Sequence, residues 1–169
     1  PMIQAINSIQ HLTTKSFSAF DQVIVNVGWI RAGDTHTTNV MPEEAAFGAT
    51  IRTFSVDHFH RIRAELKQLM ESIASAFGVQ VEVEFTPSSK VVINDPAAVE
   101  QVRKTVTENF GAERFEYMPD PITGGEDFSS ILELIPGSFI FLAAGHPDIA
   151  PEHWQSNHSN RAVYDESVI

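Results

Sequence analysis

The sequence predicts a mixed fold in two parts, an α+β arrangement over residues 1–88 and an α/β arrangement over residues 89–169. Stretches in which apolar residues recur every three or four positions are interspersed with stretches in which every second residue is apolar, which predicts both helices and strands. Pro87 and the two serines after it interrupt this pattern and mark the boundary. The 43% of hydrophobic and 20% of charged residues are typical of a globular chain with a buried core.

The first part predicts the order helix, strand, strand, helix, strand. The segments are residues 3–12, 22–30, 43–54, 59–77 and 79–85. Alternation along the first strand predicts one shared face for four residues, Val23, Val25, Val27 and Trp29. The order is one leading strand short of the split βαβ sandwich, the ferredoxin-like fold, so we expect further residues before Pro1.

The second part predicts helix, strand, helix, strand, which fits a sheet covered on both faces. Asp95 and Pro96 are suited to the N-cap and first position of the helix, and Gly111 to its end. The apolar stripe of this helix consists of Val99, Val102 and Val106. Residues 114–118, 127–135 and 138–144 are the later segments. A polar loop, residues 145–161, then leads to a helix cap at residues 164–166.

Composition excludes several classes of function. The net charge of −11, spread along the chain, disfavours nucleic-acid binding. No apolar run approaches the roughly 20 residues that span a bilayer, so we expect a soluble, cytoplasmic protein without membrane association. The chain has no cysteine, which excludes disulfides and thiolate ligands. Any metal must therefore be bound by His, Asp or Glu.

Two polar residues around the second strand have the chemistry of a carboxylate clamp. Asn39 ends the polar turn, and Arg52 lies on the small-residue face of the strand that follows. Amide and guanidinium donors together suit a carboxylate. From spacing alone, the alternative is favoured, in which Asn39 caps a turn and Arg52 forms a surface ion pair.

Two loops of the second part carry further candidates. Backbone N–H groups of Gly124 and Gly125 can bind an anion or substrate, and Glu126 can orient a neighbouring ligand. The alternative is that the motif is only a glycine turn before a helix. The loop at residues 145–161 carries three histidines, His146, His153 and His158. Their spacing matches no compact zinc motif, and a loop histidine usually contacts only solvent. Of the three, His158 is the best candidate metal ligand. We predict that His58 and His60, which lack a sequence-placed acidic partner, are surface residues.

Six short motifs in order resemble one family, the aminoacylase and carboxypeptidase G metallopeptidases. They are Ala32-Gly33, Asn39-Val40-Met41-Pro42, Gly48-Ala49-Thr50-Ile51-Arg52, Gly125-Glu126-Asp127-Phe128, Pro136-Gly137 and His158-Ser159. The most similar branch is that of the hippurate hydrolases and indoleacetyl-amino-acid hydrolases, with N-V-I-P, G-T-x-R and S-E-D-F motifs. This chain departs locally, because alanine precedes the threonine of the second motif and glycine replaces the serine of the third.

The resemblance implies a zinc-exopeptidase-like α/β catalytic domain interrupted by a small lid domain that pairs in a homodimer. Residues 1–88 would be most of the lid and residues 89–169 the end of the catalytic domain. By position, Asn39 and Arg52 match lid residues that hold a substrate carboxylate, and His158 matches the last metal-ligand histidine. Gly124 and Gly125 would line the substrate cleft, with Glu126 in its wall or behind a ligand.

The same resemblance implies amide hydrolysis of N-acyl amino acids or small peptides by water that a divalent metal activates. Zinc is expected, with manganese, cobalt or nickel as alternatives. The general base and the other ligands of the family would lie before Pro1, so this segment holds no catalytic residue and is expected to be inactive alone. A rival hypothesis is a non-catalytic dimerisation or ligand-binding module, motivated by the ferredoxin-like first part.

Overall fold

The computed structural model describes residues 1–34, 36–86, 89–122 and 124–168 as a mixed α/β chain with a two-stranded antiparallel sheet. Its helices and strands in chain order are α1 (Met2–Ser16), β1 (Val23–Ala32), β2 (Ala45–Thr53), α2 (Val56–Ala76), α3 (Pro96–Phe110) and α4 (Ser129–Leu132). Short 3₁₀ turns lie at Ala112–Arg114, Pro151–His153 and Glu166–Val168. No helix among the described residues is long and apolar enough to cross a membrane.

The hydrophobic core lies between α1, α2 and one face of the sheet. Helix α2 buries Ile62, Leu66 and Met70, at the spacing of four that places residues on one side of a helix. Ile62 is 0% exposed. Ile9 of α1 and Val25 of β1 complete the contact between the layers. The predicted helices and strands of residues 1–77 are therefore confirmed, and their apolar faces form a single core.

A β-bulge in β1 changes which face its last residues occupy. Val27 pairs with Ala49 and Trp29 pairs with Gly48, so Gly28 is one extra residue on the β1 side. Directly paired residues share a face, and neighbours along a strand lie on opposite faces. The prediction that Trp29 shares the core face with Val27 was therefore wrong. Trp29 faces away from the helices, because the bulge shifts the alternation by one residue.

The helix ends follow local chemistry. The Oγ atom of Ser55 accepts a hydrogen bond from the His58 N–H at 3.4 Å, so α2 begins earlier than the predicted residue 59. Beyond α2, Gly78 has φ = 65°, the left-handed conformation that favours glycine, and the Val79 N–H donates to the Ala74 carbonyl at 3.0 Å. The predicted end of α2 is confirmed.

Asp95 caps α3, as predicted. Its Oδ1 atom accepts a hydrogen bond from the Ala98 N–H at 2.9 Å. We expect Asp95→Ala to lower the free energy of unfolding by about 1 kcal/mol, since a helix donor loses its acceptor. Asp95→Asn, which keeps an oxygen at that position, should cost only a few tenths of that. Urea unfolding of both variants tests the prediction; equal losses would contradict it.

Three predicted strands do not form a ladder among the described residues. Residues 79–85, 114–118 and 138–144 are extended or irregular, and neither β1 nor β2 pairs with them. Val83 and Phe85 still pack against the core, whereas Ile140, Phe141 and Leu142 are largely exposed. The predicted sheet covered on both faces is therefore absent from the described residues. A strand makes its hydrogen bonds with a neighbouring strand, and these segments have none within the described part of the chain.

The helix predicted at residues 127–135 was too long. Only the single turn α4 (Ser129–Leu132) is helical. The apolar stripe of α3 is half-buried rather than buried, because no second layer of the described chain covers it. The cap predicted at residues 164–166 takes the form of Asp165 at the start of a 3₁₀ turn, Glu166–Val168.

Candidate functional site

One wide cleft contacts both parts of the chain. Its volume is about 3560 Å³, several times the roughly 300–1,000 Å³ of a typical small-molecule pocket. Five of the six predicted site residues contribute to its lining, namely Arg52, Gly124, Gly125, Glu126 and His158. Asn39 does not line it. The fold therefore exposes most of the predicted site to one continuous space, although a cleft of this size does not by itself make these residues neighbours.

Arg52 lies on the sheet face opposite the helices. It pairs with Ile24, while the preceding residue, Ile51, pairs with Val25 of the core. The predicted small, polar face of β2 is thus as expected, and the guanidinium is held on a strand rather than on a loop. Asn39 lies in a bend of the connection between β1 and β2, exposed to solvent. The structure does not bring Asn39 and Arg52 into one lining, so the clamp stays a prediction.

The loop that carries Gly124, Gly125 and Glu126 is attached to the segment that follows residue 88. Ser89 donates a hydrogen bond to Asp127 at 3.2 Å, and a β-carbon placed on Gly125 would lie 3.3 Å from the Ser89 Oγ atom. The Lys90 N–H donates to Ser129, which is 1% exposed, and the Lys90 ammonium pairs with Glu133. These contacts join the two segments.

Glu126 is half-buried in this loop. Its Oε1 atom accepts a hydrogen bond from the Phe128 N–H at 3.2 Å, so the carboxylate stabilises the turn that leads into α4. The second carboxylate oxygen is not used by this contact. Glu126 thus has a structural role in this turn and contributes to the lining of the cleft, and its role beside a substrate or metal stays a prediction.

The loop at residues 145–161, which carries His158, is closed at its base. Gly145 forms an antiparallel bridge with Tyr164, and the Asp165 N–H donates to the Ala144 carbonyl at 3.0 Å. Trp154 packs directly on Gly145 and donates its indole N–H to the Ile149 carbonyl at 2.8 Å. These contacts connect the two ends of a loop that contains the 3₁₀ turn Pro151–His153, and His158 is exposed within this loop.

Asp165 is the charged group at the base of this loop. Hydrogen bonds from the Ser167 hydroxyl and the Ser167 N–H, at 2.6 and 2.9 Å, lower the pKa of Asp165 below its usual value, and the charge of His146 acts in the same direction. The carboxylate is thus ionised at neutral pH and lies near a histidine of the loop.

The Gly145–Trp154 contact leads to a prediction about this loop. A β-carbon on Gly145 would lie 2.2 Å from the Trp154 ring, so Gly145→Ala must displace the indole and break its hydrogen bond. We expect a loss of about 1–3 kcal/mol in unfolding free energy. In a Trp29→Phe background, where Trp154 is the remaining tryptophan, fluorescence should shift to longer wavelength. Gly124→Ala, which meets only an ordinary contact at 3.6 Å, is the control; an unchanged spectrum for Gly145→Ala would contradict the prediction.

Comparison with known proteins identifies the family. The sequence model of Peptidase family M20/M25/M40 matches residues 5–166. The chain belongs to this family. The family predicted from the six motifs is therefore confirmed.

Curated members of the family cover the chain almost end to end. An uncharacterised hydrolase of Staphylococcus saprophyticus is 28% identical over 96% of this chain, and an IAA-amino acid hydrolase of Arabidopsis thaliana is 29% identical over 100% of it. An N-acetyl-L-cysteine deacetylase of Bacillus subtilis is 30% identical over 82% of the chain. The matched regions are 42%, 39% and 32% of these relatives. The chain thus spans about a third to two fifths of their length.

A solved structure shares the fold of this family member. A protein described as an aminohydrolase from methicillin-resistant Staphylococcus aureus superposes with a TM-score of 0.84 over 99% of this chain and 41% of its own, at 21% identity. At this identity the likeness shows the fold alone.

Peptidases of this family are generally metal-dependent. A metal ion bound by this chain would need His, Asp or Glu side chains that lie close together. A catalytic zinc site needs about three protein ligands. Among residues 1–34, 36–86, 89–122 and 124–168, no group of three or more His, Asp or Glu side chains could hold a metal ion. The described residues therefore do not form a complete site, and His158 is at most one member of a ligand set.

One interaction was missed in the sequence. His58 was predicted to be a surface residue without an acidic partner, but its Nε2 atom lies 3.7 Å from Asp21 Oδ2 and its ring packs edge-on against Phe17 at 5.5 Å. Asp21 is 37 residues earlier in the chain, so local spacing contains no signal for this pair. It connects α2 to the segment between α1 and β1. His60 is exposed, as predicted.

Proposed function

We propose that this chain is part of a metal-dependent amidohydrolase that cleaves the amide bond of N-acyl amino acids or small peptides. The match to the peptidase family over residues 5–166 carries the proposal. Two relatives are named as an N-acetyl-L-cysteine deacetylase and an IAA-amino acid hydrolase, and both names point to the same chemical class of substrate, an acyl group joined to an amino acid. A cytoplasmic location goes with this proposal and stays a prediction.

The proposed organisation keeps the two predicted parts. Residues 1–88 would form a ferredoxin-like lid that pairs in a homodimer, and residues 89–169 the end of an α/β catalytic domain. The cleft supports the ferredoxin-like arrangement of the first part, because core side chains such as Ile9, Val25 and Leu66 border it together with β2 and residues 79–86. A further strand between β2 and residues 79–86 would complete the split βαβ sheet.

The chain's own residues would bind and orient the substrate. Arg52 would hold the substrate carboxylate through two parallel hydrogen bonds, with Asn39 as a second donor. Gly124 and Gly125 would let the substrate approach the backbone of their loop. His158 would supply one metal ligand of the roughly three that a catalytic zinc site needs, and Glu126 would form the wall beside it.

Hydrolysis assays on two forms of the protein test the proposal. The complete gene product and the isolated 169-residue chain would be incubated with zinc or manganese and with N-acetyl and N-benzoyl amino acids. We expect turnover by the complete product and none by the isolated chain. An inactive complete product would favour the rival hypothesis of a non-catalytic binding module.

Metal analysis of histidine variants adds a second readout. In the complete gene product, His158→Ala should lower both bound metal and turnover, since an imidazole ligand is lost. His153→Ala changes another exposed histidine of the same loop and is the matched control. Equal losses of metal in both variants would show that His158 has no special role.

A further inference from the structure

Trp29 is an exposed aromatic residue in an unusual setting. The bulge at Gly28 places Trp29 on the sheet face that points away from the helices, where it pairs with Gly48. A β-carbon on Gly48 would lie 2.2 Å from Trp29 Nε1 and 2.5 Å from Cε2, so the indole rests on the glycine backbone. The side chain is nevertheless 55% exposed. One side of the ring is thus supported by β2, and much of the remainder is accessible.

This aromatic surface lies on the same strand face as the proposed carboxylate clamp. Gly48, Thr50 and Arg52 alternate along β2, and Trp29 covers the first of these positions. Gly48 and Arg52 are four positions apart along the strand, which is about 13 Å between their Cα atoms. Trp29, Gly48 and Arg52 all line the cleft.

A guanidinium and an open indole on one rigid face suit a ligand with a carboxylate at one end and a flat apolar group at the other. Aromatic rings prefer stacked or edge-on contacts with one another, which adds selectivity beyond the area that is buried. Both side chains lie on one face of the sheet, so an N-aroyl amino acid lying along β2 would have its carboxylate toward Arg52 and its ring toward Trp29.

We propose that Trp29 contacts the acyl group of the substrate and selects aromatic or bulky apolar acyl groups over acetyl. This inference rests on the proposed function, since it assigns the acyl side of the same site. Gly28 and Gly48 then have a shared role: the first turns the indole to the cleft, and the second leaves room for it against the sheet.

Kinetics with two substrates test the assignment in the complete gene product. For Trp29→Ala, we expect kcat/KM for N-benzoylglycine to fall about tenfold, mainly through KM, and that for N-acetylglycine to change less than about twofold. Trp29→Phe should restore most of the loss. Phe20→Ala removes an aromatic side chain that is 95% exposed outside the cleft lining, and should leave both substrates unaffected.

Equal losses of kcat/KM on both substrates in Trp29→Ala would overturn the inference. A change of oligomeric state with unaltered selectivity would also overturn it, because Trp29 would then be a subunit contact. If the wild-type product hydrolyses neither substrate, the proposed function fails. Binding of the two compounds then tests separately whether Trp29 contacts an aromatic acyl group. Binding to the complete gene product is then followed as the fluorescence difference between the wild type and its Trp29→Phe variant. This difference should change saturably with N-benzoylglycine and not with N-acetylglycine; no response to either compound refutes the inference.

Discussion

Ile62→Ala should lower the free energy of unfolding by about 2–5 kcal/mol, the largest effect on stability that we expect from one substitution. Ile62 is 0% exposed and lies among Ile9, Val25 and Leu66, between the two helices and the sheet. Removing its side chain loses buried apolar area and leaves a cavity that three packed elements cannot close without moving. Urea unfolding followed by circular dichroism measures the change.

Ile3→Ala is a matched control for this prediction. Ile3 lies in the first turn of the long helix α1 and is 61% exposed. Both substitutions remove the same side-chain atoms, so the difference between them mainly reports burial. We expect Ile3→Ala to stay within about 0.5 kcal/mol of wild type. Similar losses for both variants would show that the core is not packed around Ile62.

Arg52→Lys should raise KM for an N-acyl amino acid by roughly ten- to hundredfold in the complete gene product, with a smaller change in kcat. Lysine keeps the positive charge but not the planar fork that makes two parallel hydrogen bonds to a carboxylate. Hydrogen bonds to charged groups contribute about 1.5–3 kcal/mol, which corresponds to this range of affinity. Steady-state kinetics at several substrate concentrations separate the two parameters.

Two controls show whether the effect belongs to the carboxylate. The KM for a substrate analogue with a neutral amide in place of the carboxylate should change little in Arg52→Lys. This analogue cannot make the two charged hydrogen bonds that the substitution removes. Arg103→Lys changes an arginine of α3 that is outside the cleft lining and donates to Glu100 at 2.8 Å, and should leave KM unchanged. A loss as large with the neutral analogue would contradict the clamp.

The elements that local chemistry defines were predicted from the sequence. The apolar spacing of α1, α2 and α3, the Asp95-Pro96 start of α3 and the glycine after α2 all correspond to the observed helices. The order of the six motifs was sufficient to identify the family. The candidate site was proposed only from that resemblance and stays a prediction, because spacing alone favoured ordinary structural roles for Asn39 and Arg52.

The tertiary structure decided which segments became strands and which way Trp29 faces. A helix makes its hydrogen bonds within one segment, so nearby residues determine it. A strand makes them with another segment, and residues 138–144 have no partner among the described residues despite a strand-like pattern. The bulge at Gly28 likewise depends on the register with β2, and that register placed Trp29 on the face that carries Arg52.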